Sequence, residues 1–316
     1  MRLGTQYCMP LLSILIPMYN EAESIEHCIN TLTPILDAVD EDWEILCVDD
    51  GSVDASAAIV KARAASDPRI KLIEFSRNFG KEAALTAALD AANGQAVIPF
   101  DADLQDPPEL IPEMVERWRE GFKVVLAVRA ARTNDSRAKR VTAGWFYSIM
   151  HQVSDIRIPR NAGDFRLMDA QVVAAVRQLP ERTRFMKGIL AWVGFETTEV
   201  YYDRPERSHG TTKFAFRSLW RLALDGIFSF TTVPLKIWTY LGALIALSSF
   251  AFAAMLILRV LFFGVDVPGY ASLMVVMLFI GGIQLMSLGV IGEYIGRIFR
   301  ETKQRPIYII KEKTGF

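Results

Sequence analysis

The chain has 316 residues with 35 Lys and Arg against 36 Asp and Glu, a formal net charge of -1, so no net positive field draws it to nucleic acid. Hydrophobic residues make up 51% and the mean hydropathy is +0.21, which excludes a disordered chain and calls for a search for membrane spans. The three cysteines, Cys8, Cys28 and Cys47, are odd in number, which speaks against a disulfide scaffold and for a reducing compartment.

In chain order, the first apolar run, Leu11–Pro17, is too short for a signal peptide and leads straight into polar Tyr19-Asn20-Glu21. It reads as a buried strand over Leu11–Ile16, and further strands are predicted at Ile45–Val48, Ile70–Phe75, Ala96–Phe100 and Val124–Val128. Helical patterns lie between them at Glu21–Val39, Asp54–Ala65, Lys81–Ala92 and Pro108–Glu120. This alternation predicts an α/β domain, with a mostly parallel sheet, helices on both faces and right-handed crossovers. In such folds ligands bind beyond the carboxyl ends of the strands.

Polar groups follow each predicted strand: Pro17-Met18-Tyr19-Asn20-Glu21, Asp49-Asp50-Gly51-Ser52, Ser76 to Lys81, Asp101 to Asp106, and Arg129. In an extended segment residues two apart point the same way, so Asp101 and Asp103 are placed to reach one hard cation, with Gln105 adding a neutral oxygen. Such a donor set suits Mg²⁺ or Mn²⁺ with substrate phosphates completing the shell. Neither G-x-x-x-x-G-K-[ST] nor G-x-G-x-x-G occurs, so a nucleotide diphosphate would be held by metal and cations rather than by a Gly-rich cradle. One of Asp49 and Asp50 is readable as a plain turn cap, and Asp50 is the better candidate for a base or ribose acceptor. His27, His151 and His209 show no metal-ligand spacing.

Near the C-terminal end, Ile237 to Leu258 carries no charge; after Arg259, Asp266, Pro268 and Gly269, a second uncharged run extends from Tyr270 to Gly292. Both are long enough to cross a hydrocarbon core of about 30 Å. Cations flank the outer ends (Arg217, Arg221 and Lys236 before, Arg297, Arg300, Lys303, Arg305, Lys311 and Lys313 after), which by the positive-inside tendency puts both termini in the cytoplasm. The expected division is a cytoplasmic domain over 1–213, amphipathic interfacial helices over 214–236, a transmembrane hairpin over 237–292 (spans about 237–259 and 270–292) and a basic cytoplasmic tail over 293–316. Within that tail Ile307 to Ile310 is a strand candidate, for the catalytic domain or for a neighbour.

With PMYNE, DDGS, RNFGK and DADLQDPPE in this order, the chain resembles family 2 glycosyltransferases with the GT-A nucleotide-binding, Rossmann-like fold. NAGDFRLM (Asn161–Met168), RFMKG (Arg184–Gly188), the hairpin, and EYIGRIFRETKQRP (Glu293–Pro306) narrow the resemblance to polyprenyl-phosphate glycosyltransferases. Arg207-x-x-Gly210-x-Thr212-Lys213 matches their R-x-x-G-x-[ST]-K. The likeness is to bacterial bactoprenol glucosyltransferases and, more distantly, to dolichol-phosphate mannose synthases.

That resemblance implies that Pro17, Tyr19, Glu21, Asp49, Asp50, Arg77, Lys81, Asp101 and Asp103 bind the nucleotide-sugar. Asp101, Asp103 and Gln105 would hold Mg²⁺ or Mn²⁺, and Arg129, Arg140, Arg204, Arg207 and Lys213 would meet the acceptor phosphate. Asp103, Asp164, Arg129, Arg207 and Lys213 form the implied catalytic set, with Asp164 as base or orienting group; which cation of Arg137 to Arg140 faces the acceptor stays open. The implied activity is inverting transfer of glucose from UDP-glucose to undecaprenyl phosphate at the cytoplasmic face of the inner membrane. UDP-N-acetylglucosamine, a modified UDP-pentose and GDP-mannose stay open as donors, and a homotetramer as assembly. A processive polysaccharide synthase is the rival reading, but its Q-x-x-R-W signature has Met114 in place of Gln before Arg117-Trp118.

Overall fold

The computed structural model describes residues 12–39, 42–129, 162–179, 181–182, 184, 186–202, 233–263 and 269–316. Strands β1 (Leu12–Met18), β2 (Trp43–Asp49), β3 (Ile70–Phe75) and β4 (Ala96–Pro99) are separated by helices α1 (Ile25–Asp37), α2 (Ser56–Ser66) and α3 (Lys81–Ala91). Helix α4 (Ile111–Arg119), preceded by a 3₁₀ turn at Pro108–Leu110, leads to β5 (Val124–Arg129). Then come β6 (Ala162–Asp169), α5 (Ala170–Arg177), α6 (Met186–Trp192) and β7 (Thr197–Tyr202).

The strands read as unbroken apolar runs because helices cover both faces of the sheet. Leu12, Ile14 and Ile16 of β1 pack with Ile25, Ile29 and Leu32 of α1 and with Met114 of α4. Leu15, Leu46 and Val48 pack on the other face with α3, α5 and α6, through Ala84, Leu85, Val172 and Ile189. Buried charges interrupt this core, Glu44 of β2 among them. Glu44 accepts from the Ser13 hydroxyl (2.6 Å) and the Asn93 N–H (2.9 Å), and pairs with Lys71 at 2.7 Å, so its carboxylate is satisfied rather than stranded.

The strand order is β7-β5-β6-β4-β1-β2-β3-β8, with β8 at Ile310–Thr314. Pairs β1–β2, β1–β4, β2–β3 and β5–β7 are parallel, whereas β6 runs antiparallel to β4 and β5, and β8 antiparallel to β3. The sheet is therefore mostly parallel but mixed: β1 to β5 and β7 run the same way, and β6 and β8 oppose them. The strands that make it so come from 162–169 and from the tail, beyond the strand–helix alternation of the first 129 residues. Helix α1 also starts at Ile25 rather than Glu21, because Asn20 turns the chain at φ 54°, a left-handed conformation that Asn tolerates.

The tail pairs with the α/β domain. Its strand begins at Ile310, three residues later than Ile307, and covers the edge of β3 that would otherwise lie open. Tyr308 stacks on Phe75 with centroids 5.1 Å apart and donates to Asp90 at 2.8 Å, while Lys61 bridges Glu74 and Glu312.

Helices α7 (Val233–Phe263) and α8 (Tyr270–Thr302) have 31 and 33 residues, about 46 and 50 Å at the usual rise. Both outrun the expected spans, and α7 takes in residues 233–236, which the sequence pattern places in the interfacial segment; residues 214–232 lie outside the described residues. Over Phe279–Thr302, α8 is long and apolar enough to cross a membrane. Leu247 (69%), Phe250 (74%) and Leu285 (73%) are exposed, an apolar surface that soluble monomers do not leave in water.

The end of α8 is fastened to the α/β domain. Both Glu301 oxygens accept the Arg182 N–H (2.9 and 3.1 Å), and Arg182 Nη1 donates to the Arg305 carbonyl at 2.9 Å. Glu301→Ala removes the acceptor of that N–H, a change worth about 1.4 kcal/mol, or tenfold in opening. Hydrogen exchange of the segment around Arg182 is therefore expected to quicken about tenfold in the full-length variant, and unchanged protection would break this link.

Candidate functional site

The carboxyl ends of β1, β2, β4 and β5 and the start of the antiparallel β6 lie along one end of the sheet, the end at which folds of this kind form their ligand crevice. The loops that line it are tied to one another rather than only to their own strands. Asn20 N–H donates to the Ser52 hydroxyl (2.9 Å), Glu21 N–H to the Ser56 hydroxyl (2.8 Å), and Val53 N–H to the Asn20 side chain (3.0 Å). Pro17 and Glu21 are half-buried here, and Tyr19 is 45% exposed. Glu21 accepts from the Ser24 hydroxyl at 2.5 Å.

The two adjacent aspartates divide their work. Asp49 accepts from the N–H and hydroxyl of Ser52 and closes the turn after β2. Asp50, also buried, accepts the N–H groups of Phe79 (2.6 Å) and Gly80 (2.8 Å) and so anchors the loop after β3. Burial pushes the Asp50 carboxyl above its ordinary value, against those two hydrogen bonds. Gly51 between the loops is at φ 71°, where a Cβ would lie 2.5 Å from the Arg77 carbonyl carbon, so only glycine fits. Arg77 lies over the Phe79 ring at 4.2 Å.

Lys81, at the first position of α3, joins two carboxylates. Its Nζ is 2.7 Å from Asp101 and 3.0 Å from Asp164 of β6, and Lys187 of α6 stands 4.0 Å from Asp164 on the other side. Burial draws the Lys81 ammonium down, but the two carboxylates more than reverse this and hold its pKa above the ordinary lysine value. Burial raises the Asp101 carboxyl despite Lys81. For Asp164 burial acts in the same sense, and Lys81 and Lys187 outweigh it, leaving that carboxyl below its ordinary value. Lys187 and its neighbour Glu82 were not singled out from the sequence, although Lys187 lies within the RFMKG run.

The Asp101-x-Asp103 pair is not in an extended segment. Strand β4 ends at Pro99, and the chain turns with Leu104 at φ 52°. Gln105 donates its amide to Asp103, so its side chain is engaged on that carboxylate rather than extending a common face. Among the described residues, no three His, Cys, Asp or Glu side chains gather as a metal cage. Two aspartates on one turn still fit Mg²⁺ or Mn²⁺, hard cations that take one or two protein carboxylates and complete their shells with phosphate and water.

At the crevice's far side, Arg129 ends β5 and Tyr202 ends β7. Arg129 Nε donates to the Tyr202 hydroxyl at 3.3 Å, and that hydroxyl donates to Asp106 at 2.5 Å. Asp106 belongs to the DADLQDPPE run but had no role assigned, and Tyr202 sat in no motif. Arg140, Arg204, Arg207 and Lys213, with His151 and His209, lie outside the described residues.

The chain matches Glycosyl transferase family 2 over residues 13–177 and the GtrB C-terminal hairpin over residues 233–298. It is 54% identical over 304 residues to an uncharacterized glycosyltransferase of Synechocystis sp., covering 96% of each chain. It is 50% identical over 302 residues to the bactoprenol glucosyl transferase of Shigella phage SfV, covering 96% of this chain and 98% of that one. Glucosyl-3-phosphoglycerate synthase from Mycobacterium tuberculosis, solved with Mn²⁺, uridine diphosphate and phosphoglyceric acid, aligns with a TM-score of 0.50 at 19% identity. That alignment covers 69% of this chain and 76% of the other, and shows the shared GT-A fold.

Glu82, beside Lys81, accepts the Met186 N–H at 3.1 Å, and burial raises its carboxyl to about 7 from an ordinary 4.5. The folded state then holds a proton that the unfolded state has released, so Glu82 makes stability fall as pH rises from about 4.5 through 7. Glu82→Gln keeps the acceptor and removes the titration. Melting measured at pH 5 and pH 8 should therefore show a smaller loss for the variant than for the parent; equal losses would clear Glu82 as the cause.

Proposed function

The chain belongs to glycosyl transferase family 2, and from that premise we propose that it transfers glucose from UDP-glucose to the phosphate of a polyprenyl phosphate, with inversion. The observation that carries this reading is the 50% identity, over nearly the full length of both chains, with a protein named bactoprenol glucosyl transferase. In the proposed step an acceptor phosphate oxygen forms a bond to the anomeric carbon as the bond from that carbon to the diphosphate breaks and UDP departs. One attack inverts the centre, and among the described residues no second carboxylate stands out as a covalent nucleophile.

The residues of the crevice suit this chemistry. A phosphate monoester has a second pKa of about 6, so the acceptor is already a nucleophile near neutral pH and needs no strong base. Asp164, kept ionised by Lys81 and Lys187, is read as an orienting group. The harder task is to bring two anions together, and here Lys81, Lys187 and Arg129 contribute cations, extended in sequence by Arg140, Arg204, Arg207 and Lys213. Mg²⁺ or Mn²⁺ held by Asp101 and Asp103 would supply Lewis-acid stabilisation of the leaving diphosphate. Pro17, Tyr19, Glu21, Asp49, Asp50 and Arg77 are assigned to the nucleoside side. Asp50 keeps acceptor capacity there, since a carboxylate has about four lone-pair sites and two N–H groups occupy only part of it.

The acceptor's tail confines the reaction to a bilayer. We read α7 and α8 as two spans, with the catalytic domain and both termini on the cytoplasmic side, because cations cluster at the outer ends of the hairpin.

Purified full-length protein given undecaprenyl phosphate, Mg²⁺ or Mn²⁺ and a panel of UDP- and GDP-sugars is expected to use UDP-glucose best, giving a lipid-linked product of opposite anomeric configuration by NMR. A preference for another sugar would replace the donor, and a retained configuration would overturn the single displacement. Asp103→Asn should lower kcat at least a hundredfold, about 3 kcal/mol of transition-state stabilisation, with an unchanged circular dichroism spectrum. Full activity in that variant would remove Asp103 from the proposed metal site.

A further inference from the structure

Three chain segments that the proposed reaction needs at a fixed spacing converge on one hydroxyl. Asp106 follows the Asp101–Gln105 turn, Arg129 ends β5, and Tyr202 ends β7. The segments that leave β5 and β7 carry Arg140 and then Arg204, Arg207 and Lys213. Tyr202 and Asp106 are both buried, 7% and 8% exposed, and the Tyr202 ring is packed in the core with Phe165, Val200 and Ala127.

The hydroxyl uses both of its capacities there. It donates to Asp106 Oδ1 at 2.5 Å and accepts from Arg129 Nε at 3.3 Å, and Arg129 Nη2 stands 3.8 Å from the same Asp106 oxygen. Burial and the Asp106 hydrogen bond both hold the Tyr202 pKa above its ordinary value, so the phenol remains a donor. A guanidinium on a long stem has much rotamer freedom to lose. Anchoring Nε on a post that cannot swing removes part of that freedom before any ligand arrives, and leaves Nη1 uncommitted among the described residues.

We propose that Tyr202 and Asp106 are positioning residues that hold the Arg129 guanidinium against the Asp101–Gln105 turn. The cation that meets the acceptor phosphate is thereby set at a fixed distance from the group that binds the donor's diphosphate. This rests on the acceptor reading of Arg129 given above. Preorganisation of this kind lowers the entropy lost when the two anions are brought into line.

The test is a double-mutant cycle in full-length protein with polyprenyl phosphate and UDP-glucose, comparing the parent, Tyr202→Phe, Arg129→Ala and the double variant. Tyr202→Phe keeps the ring and removes the hydroxyl; it is expected to raise KM for the lipid phosphate about tenfold and leave KM for UDP-glucose within twofold. Because Tyr202 acts through Arg129, the double variant should be no worse than Arg129→Ala alone. Asp106→Asn, which keeps an acceptor for the hydroxyl, should fall between the parent and Tyr202→Phe. Additive losses, or equal losses in both KM values with a lowered melting temperature, would reduce Tyr202 to a structural residue and overturn the proposal. If the parent itself uses no polyprenyl phosphate, the acceptor reading fails first, and the cycle is then run on the acceptor it does use.

Discussion

Lys81 stands at the start of α3 with its ammonium between Asp101, which reaches the crevice from β4, and Asp164, which reaches it from the antiparallel β6. Two carboxylates facing one small partly buried space raise one another's pKa, and the inserted cation opposes that rise at both. The outcome is asymmetric. Asp164, with Lys187 as a second cation, is held below its ordinary value, while Asp101, more penalised by burial, is pushed above. A metal ion competing for Asp101 would therefore relieve the less comfortable of the two carboxylates, and Lys81 would keep Asp164 as partner.

Around this ion pair the crevice is built from loops that satisfy one another. Asp50 is spent on the N–H groups of Phe79 and Gly80, Asn20 on Val53, and Ser52 and Ser56 on the N–H groups of Asn20 and Glu21. Side chains that a sequence reader assigns to a ligand are thus partly employed in holding the neighbouring loop. The two employments are compatible for carboxylates, which accept more bonds than two N–H donors supply. They are less compatible for Gln105, whose amide lies on Asp103.

The central strands were legible because burial on both faces leaves apolar runs that need no knowledge of the partner strand. Polar residues at their ends were legible for a related reason: a buried run stops being apolar mostly where the chain leaves the core, and a buried charge within it, such as Glu44, needs its own partners. What could not be read was non-local. The antiparallel β6 and the parallel β7 depend on how 162–202 returns to the sheet. Pairing of the tail with β3 was left open between this domain and a neighbour, and its register is set by β3 and by Tyr308 on Phe75. The Asp101–Asp103 turn was misjudged as extended because a positive φ at Leu104 leaves no composition signal of the kind glycine gives. Lys187 and Tyr202 come from elements far along the chain whose approach to the crevice no spacing reveals.

A chain of contacts also runs from the hairpin to the ion pair. Glu301 near the end of α8 holds Arg182; a few residues on, Met186 N–H is held by Glu82, and Lys187 faces Asp164. Helix α6, only seven residues long, is too short to hold its own orientation in isolation; Met186 and Ile189 seat it in the core, and the segment around its start is further held by these two carboxylates. One of them belongs to the helix that is long and apolar enough to cross a membrane, the other neighbours Lys81. A reaction that joins a soluble donor to an acceptor confined to lipid needs its cations at a constant depth. Fastening the helix that carries Lys187 to the membrane element as well as to the sheet meets that need without any loop having to be rigid by itself.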